Sequence, residues 1–282
     1  MIRRRFLVLG ALALVSTACG NQAKSPSQLV VGVLSYGEGA TSLEKHDGLK
    51  AHLAQSLKSI VQLEPALNEV QAIQQISQKS WDVVIAPPGL AAIAISQAQY
   101  SPVMPRVGAN QEQRSILVVR QESPAKTLDN LGNQVVALGQ EGSATGYYFP
   151  IYNLYGLTLS QVKFAATPKQ VLEWVDKGEA EAGALSLQEF DLYKQEFDRD
   201  RFRILFRDSH PVPAGSILVS PNLSEETRQL LVKSLEKSPL QVLEDVGFAP
   251  NAAPPNYDYL IRVVKRVRPI AQRIRQQPAP LY

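Results

Sequence analysis

The chain has 282 residues, with 29 Lys+Arg against 26 Asp+Glu, one Cys and 45% hydrophobic residues. This ordinary composition fits one or two globular domains and excludes collagen, coiled coil and a largely disordered chain. A single Cys excludes a disulfide framework or a Cys-cluster metal site. His46, His52 and His210 are too few and too scattered to indicate a metal, so no metal or cofactor is expected.

At the N-terminus, Arg3, Arg4 and Arg5 precede an apolar run from Phe6 to Val15 and then Ser16, Thr17, Ala18 and Cys19. A positive segment, a short apolar segment and small residues form the pattern of a secretory signal. The apolar run is too short to span a bilayer core of about 30 Å permanently. The only cysteine sits where a bacterial lipoprotein signal places its acceptor, although Ser16 stands where an aliphatic residue is usual. The reading is a signal peptide over 1–18, lipidation at Cys19 and a polar tether over 19–27; ordinary secretion is the alternative.

Removing 1–18 leaves 26 basic and 26 acidic residues. Six of those bases (Arg262, Lys265, Arg266, Arg268, Arg273, Arg275) fall in one terminal stretch. Residues 19–261 therefore hold 20 bases against 26 acids, a net of −6. Such a body offers no broad footprint for a phosphate backbone, and no nucleic-acid partner is expected.

Residues 28–34 form a continuous apolar run, as in a buried parallel strand. A helix follows, with Ser42 as its cap and Leu43, Leu49, Leu53 and Leu57 on one face. Residues 60–63 read as a second strand, Asn68 as the cap of a second helix and 81–86 as a third strand. Pro87, Pro88 and Gly89 break that strand before an apolar helix over 90–98. This alternation argues an α/β fold with a mostly parallel sheet.

Residues 114–120 read as a strand able to pass between lobes. A helical turn over 127–131 and a strand over 134–138 follow. Next come a Gly-rich loop, a helix from about Thr145 to Tyr155 and a strand over 162–165. Thr167 and Pro168 suit the cap and first position of another helix. Residues 180–185 and 202–206 read as strands, with a helix over 189–196 between them. A second crossover strand lies over 214–220. Ser224 then opens a helix through Leu235, and a basic helix over 257–275 bends near Pro269 and shows a solvated outer face.

Two α/β lobes are expected: 28–115 with 215–282, and 116–214. A ligand cleft lies between them, and closure hinges about the two crossover strands.

The loop from Leu138 through Gly142, Ser143, Ala144, Thr145 and Gly146 joins a strand to a helix. Its glycines admit close approach, Ser143 and Thr145 offer hydroxyls, and the helix start presents unpaired N–H groups, so the loop reads as an anion site. A plain turn capped by a hydroxyl is the alternative. It is neither a P-loop nor a nucleophile elbow. Tyr36, after the first strand, and Gly89, after the third, face the same cleft; Thr167 and Ser186 are further candidates at second-lobe strand ends. His46 between Glu44 and Asp47 reads as a solvated helix face. No motif supports a Ser143–His210 nucleophilic pair, so no catalytic residue is assigned and no enzyme is expected.

Taken in order, Val30–Leu34 with Tyr36, the 81–88 segment, 114–120, 128–147 and Glu181–Ala184 resemble the phosphonate/phosphite-type substrate-binding proteins of ABC importers, of the type II periplasmic-binding-protein fold. The resemblance covers about residues 28–235. It implies a hinge-closing receptor, monomeric, that passes a small ligand to a membrane permease. The family's hydroxyl-rich anion loop falls on Ser143, Ala144, Thr145 and Gly146, so the middle hydroxyl is missing. Its first tyrosine falls on Tyr36. The positions of its second tyrosine, its histidine and its acid fall near Leu90 or Ala91, Pro168 and Gly215. The expected ligand is a small anion or zwitterion held by dipoles and hydroxyls, without an arginine clamp. A ligand-poor sensory protein on this scaffold, or an enzyme on it, is the alternative.

Overall fold

The strands β1 (Gln28–Leu34), β2 (Ile60–Ala66) and β3 (Val83–Ala86) pair in parallel, with β1 in the middle. The computed structural model describes residues 28–34, 43–106 and 113–282. The signal peptide, the tether with Cys19, and the loop with Tyr36 fall outside the described residues.

Helix α1 (Asp47–Leu57) follows β1 and buries Leu49, Leu53 and Leu57. Helix α2 (Glu69–Gln78) begins where the Asn68 side chain accepts from Gln71 N–H at 3.0 Å. Helix α3 (Pro88–Ala98) opens on proline and is apolar on every side, and Leu90 through Ala94 are buried. A helix of that composition is stable only when enclosed.

Strand β4 (Ser101–Pro105) completes the lobe's sheet at its edge, and the chain then crosses to the second lobe. There β5 (Ser115–Arg120), β6 (Val135–Leu138), β8 (Gln161–Phe164), β9 (Ala182–Ser186) and β10 (Phe202–Arg207) form a sheet in the order β10-β5-β9-β6-β8. A short β7 (Thr158–Leu159) lies outside it. Helices α4 (Phe149–Asn153), α5 (Pro168–Asp176) and α6 (Leu187–Tyr193) connect these strands. Strand β11 (Ser216–Val219) then returns to the first sheet, whose order is β2-β1-β3-β11-β4.

Each sheet contains one strand running against the other four. In the first it is β11, antiparallel to β3 and β4; in the second it is β5, antiparallel to β9 and β10. These two are the strands that arrive from the opposite lobe. The expected crossover strands 114–120 and 214–220 therefore lie inside the sheets, and the hinge is the pair of segments before them. Those segments run side by side: Val212 N–H donates to Gln113 O at 2.7 Å.

Helices α7 (Glu225–Glu236) and α8 (Leu240–Val246) cover the first lobe's sheet, sharing a core with Leu49, Leu53 and Leu57. The next segment departs from expectation. Helix α9 (Asp258–Val267) buries Leu260, Val263, Val264 and Val267 in a core that takes in α3 of the first lobe and Tyr147, Phe149 and Ile151 of the second. Strand β12 (Ala279–Pro280) pairs antiparallel with β7. The segment 258–282, expected with the first lobe, thus spans both and ends on the second. Its apolar stripe has surface to bury on each side of the junction.

Trp81 lies flat over Gly32 of β1, its ring occupying the space of a Cβ, and is 1% exposed. The Tyr100 hydroxyl donates to Trp81 O at 2.7 Å. Gly32→Ala should therefore lower unfolding stability by about 1–3 kcal/mol through overpacking. An unchanged urea midpoint would show that the ring yields freely.

Candidate functional site

A cavity of about 310 Å³ opens between the lobes. The first lobe contributes the ends of β1 and β3 through Leu34, Ala86 and the turn Pro87–Pro88–Gly89. The second contributes Gly142, Ser143, Ala144, Thr145 and Ser186. The strand ends of the two sheets face each other across it, where an α/β fold places its ligand.

At its edge the two backbones nearly touch. A Cβ on Gly89 would overlap the Gly142 carbonyl oxygen and lie 2.8 Å from Ala144 N. Gly142 itself has φ +116, and a Cβ there would run into the Glu69 side chain. Both glycines are fixed by this approach, one by space and the other also by backbone conformation.

After Gly142 the chain forms a π-helical turn, Ala144–Tyr148, that runs into α4. Tyr148 N–H donates to Ser143 O at 3.1 Å, and Gly146 N–H donates to Ser143 Oγ at 3.0 Å. Such turns recur at functional sites because they re-aim the first N–H groups of a helix. The Ser143 hydroxyl accepts this capping bond through one lone pair and keeps its proton for another acceptor. Ser115, at the start of β5, donates its hydroxyl to Thr145 O at 2.7 Å, tying the turn to the strand next to the hinge. Thr145 is buried and lines the cavity.

Ser186 also lines the cavity while serving as a cap. Its hydroxyl accepts from Glu189 N–H at 3.1 Å, and Ser186 N–H donates to Glu189 Oε2 at 2.7 Å. Thr167 is elsewhere. It caps α5, accepting from Gln170 N–H at 3.2 Å, and with Gly146 and Pro168 borders a separate recess of about 20 Å³. The fold brings Gly89, Ser143, Ala144, Thr145 and Ser186 to one cavity and leaves Thr167 and Gly146 behind it.

The structure adds charged groups the sequence reading omitted. Lys45, Arg106, Glu69 and Glu189 all line the cavity. The expectation of a site without arginine is corrected by Arg106, whose backbone leaves β4 beside Gly215 and Phe248. His46 is also corrected: it stands at the N-cap of α1, is 2% exposed and faces the cavity rather than solvent. The sequence reading places it inside a helix capped at Ser42, whereas the helix Asp47–Leu57 starts one residue after it, and the cavity beneath it depends on the distant Arg106 and Phe248. Glu69 is 3% exposed at the first position of α2, where the helix dipole favours a carboxylate.

The other histidines are structural neighbours of the hinge and core. His52 Nε2 lies 2.9 Å from Ser234 O. His210 stacks on Tyr259 at 4.2 Å and bonds Asp208 Oδ1 at 3.0 Å, not Ser143. Asn153 donates to Asp208 Oδ2 at 2.6 Å, so the second crossover is fastened to α4 and α9. Tyr257 donates to Ala214 O at 2.6 Å and meets Ser216 Oγ at 2.8 Å; burial pushes its hydroxyl pKa up to about 12.

Two mixed sheets, each holding one reversed strand from a double crossover with a cavity between them, define a two-lobed solute receptor of the type II periplasmic-binding-protein kind. Residues 31–250 match the family described as "ABC transporter, phosphonate, periplasmic substrate-binding protein", and the chain belongs to that family. It is a transport substrate-binding family, not an enzyme family, and its members act outside the cytoplasm.

The fold is similar to XAC2383 from Xanthomonas citri, solved with chloride and with ATP. For the chloride form the TM-score is 0.72 at 22% identity, covering 86% of this chain and 99% of that one. It is also similar to PhnD1 from Prochlorococcus marinus in complex with methylphosphonate (TM-score 0.67, 19% identity, 86% and 98% covered). A third likeness is to PA3383 from Pseudomonas aeruginosa, a binding protein component of an ABC phosphonate transporter (TM-score 0.64, 14% identity, 88% and 87% covered). No curated protein matches the chain. Among the described residues no helix is long and apolar enough to cross a membrane.

Gly89→Ala should hold the lobes apart, because the added methyl meets backbone rather than a flexible side chain. Small-angle scattering should give a larger radius of gyration than for the unaltered protein. Superimposable curves would show that the contact yields.

Proposed function

We propose that the cavity receives a small phosphonate-like anion or zwitterion, closed on by the lobes and delivered to an ABC permease. The observation that carries this reading is the π-helical turn, whose start lines the cavity through Ser143, Ala144 and Thr145 beside Gly89. An oxyanion placed there meets the positive end of the turn and hydroxyl protons. Lys45 and Arg106 add positive charge on the first-lobe side, and Glu69 gives a cationic substituent an acceptor. At about 310 Å³ the space lies at the low end of ligand pockets, which run from about 300 to 1,000 Å³. Tyr36 is proposed as a wall of the same site.

Ala144, Pro168 and Gly215 stand where the family resemblance implies polar groups, so Arg106 and Lys45 are proposed to supply charge those positions lack. The chain is proposed to be monomeric and tethered through a lipid on Cys19 by residues 19–27, in the periplasm or at the cell surface.

Thr145→Ala should weaken binding of the preferred compound among phosphate, phosphite, methylphosphonate, aminoethylphosphonate and sulfonates. A hydrogen bond to a charged group contributes about 1.5–3 kcal/mol, roughly ten- to a hundredfold in Kd by calorimetry. Its unliganded melting temperature should stay unchanged, whereas Ser143→Ala should lower both, since that hydroxyl is also a cap worth about 0.5–2 kcal/mol. Unaltered affinity in both variants, or no thermal shift with any of these compounds, overturns the reading and favours a ligand-poor sensory role. Mass spectrometry of the membrane-bound protein should find its N-terminus at a diacylglyceryl-modified Cys19; an unmodified cysteine overturns the anchor.

A further inference from the structure

The last acidic residue of the chain is Asp258, and Arg262, Lys265, Arg266, Arg268, Arg273 and Arg275 follow it. All six are exposed. In α9 the buried positions 260, 263, 264 and 267 lie on the inner stripe, which sets 262, 265 and 266 on the outer one. Two of these guanidinium groups lie over tyrosine rings: Arg266 over Tyr155 at 4.3 Å and Arg262 over Tyr259 at 5.5 Å. Tyr155 and its neighbour Tyr152 are exposed at 40% and 38%. Arg275 has a loose partner in Glu141 at 3.9 Å, and the other five bases make no ion pair among the described residues.

The segments outside the described residues hold little to neutralise this face. Residues 1–27 contain Arg3, Arg4, Arg5 and Lys24 and no acid, and segments 35–42 and 107–112 contribute one acid each, Glu38 and Glu112. None of the six bases lines the cavity between the lobes. The face is also single-signed within a body that is net acidic.

We infer that this face docks on anionic phospholipid headgroups, holding the receptor against the membrane surface. The inference rests on the proposed location beside a membrane. Cations alone steer a protein toward any acidic surface. Here two of them lie over tyrosine rings, whose amphipathic character favours the headgroup level, and three are displayed together along one exposed helix flank. Each Lys or Arg near an anionic leaflet adds about 1 kcal/mol, or about fivefold in partition.

The test is flotation of the full chain with Cys19→Ser on vesicles of phosphatidylcholine alone or with phosphatidylglycerol at 7:3. The N-terminal segment, with Arg3, Arg4, Arg5 and Lys24, is common to all variants, so its contribution cancels when variants are compared on the same vesicles. Partition should favour the anionic vesicles and fall with salt. The Arg262→Gln, Lys265→Gln, Arg266→Gln variant should lose about fivefold per charge removed, while Arg262→Lys, Arg266→Lys stays near the unaltered protein. If the glutamine variant fails to fold, the single variants Arg262→Gln and Lys265→Gln on the anionic vesicles decide, each expected to lose about fivefold and each overturning the proposal if unchanged. Equal partition on both vesicle types overturns the proposal. So does a dimer that this variant abolishes while vesicle partition is unchanged, which would assign the face to a second copy. Because partition is read without ligand and without the lipid on Cys19, its failure is distinct from failure of the binding or anchor readings.

Discussion

The close approach of Gly89 to Gly142 and Ala144 governs how the two lobes meet. Backbone packs against backbone there, leaving no flexible side chain to absorb a misfit. The distance between sheets is thereby set within the width of a methyl group, and the size of the cavity beside the contact follows from it. The π-helical turn begins at Ala144, within the same contact. The element that measures lobe separation and the element that presents N–H groups are thus one short stretch of chain.

Several polar groups at the cavity have two tasks. Ser143 and Ser186 cap their own helical segments through lone pairs, and the Thr145 carbonyl is held by Ser115 from the strand entering out of the hinge. Capping restricts the hydroxyls to a narrow range of directions, which lowers the entropy lost in any further hydrogen bond they donate. The positive lining from Lys45 and Arg106 and the buried Glu69 give the cavity both signs of charge, although the lobes as a whole carry an acidic excess. A local field of this kind discriminates among small charged solutes through position rather than net charge.

Much of this architecture was legible in the sequence because local signals and global fold agree. Apolar runs at 28–34 and 114–120, the Asn68 and Thr167 caps and the Pro–Gly breaks each mark an element observed in the structure. The misplacements share a cause. Residues 114–120 and 214–220 read as crossovers because periodicity reveals a strand but not which sheet it joins. The 258–282 segment read as first-lobe surface because its apolar stripe does not name its partners. His46, Glu69 and Arg106 were not read as lining the cavity because each belongs to a helix start or strand end with no motif, and only the assembled sheet brings them together. Thr167 shows the converse: a strong local cap signal whose purpose is the cap.

The return of β11 and the pairing of β12 with β7 also bear on how the protein acquires its structure. The first sheet has its reversed strand only after the whole second lobe has been made, and the second lobe receives its final strand from residues 279–280. A chain threaded through a membrane N-terminus first therefore cannot finish either lobe while it is still emerging. Contacts of such wide sequence separation form slowly. Assembly is concentrated into a late step, during which β3 awaits β11 and β7 awaits β12, and their unpaired edges depend on the surroundings to keep them from neighbouring chains.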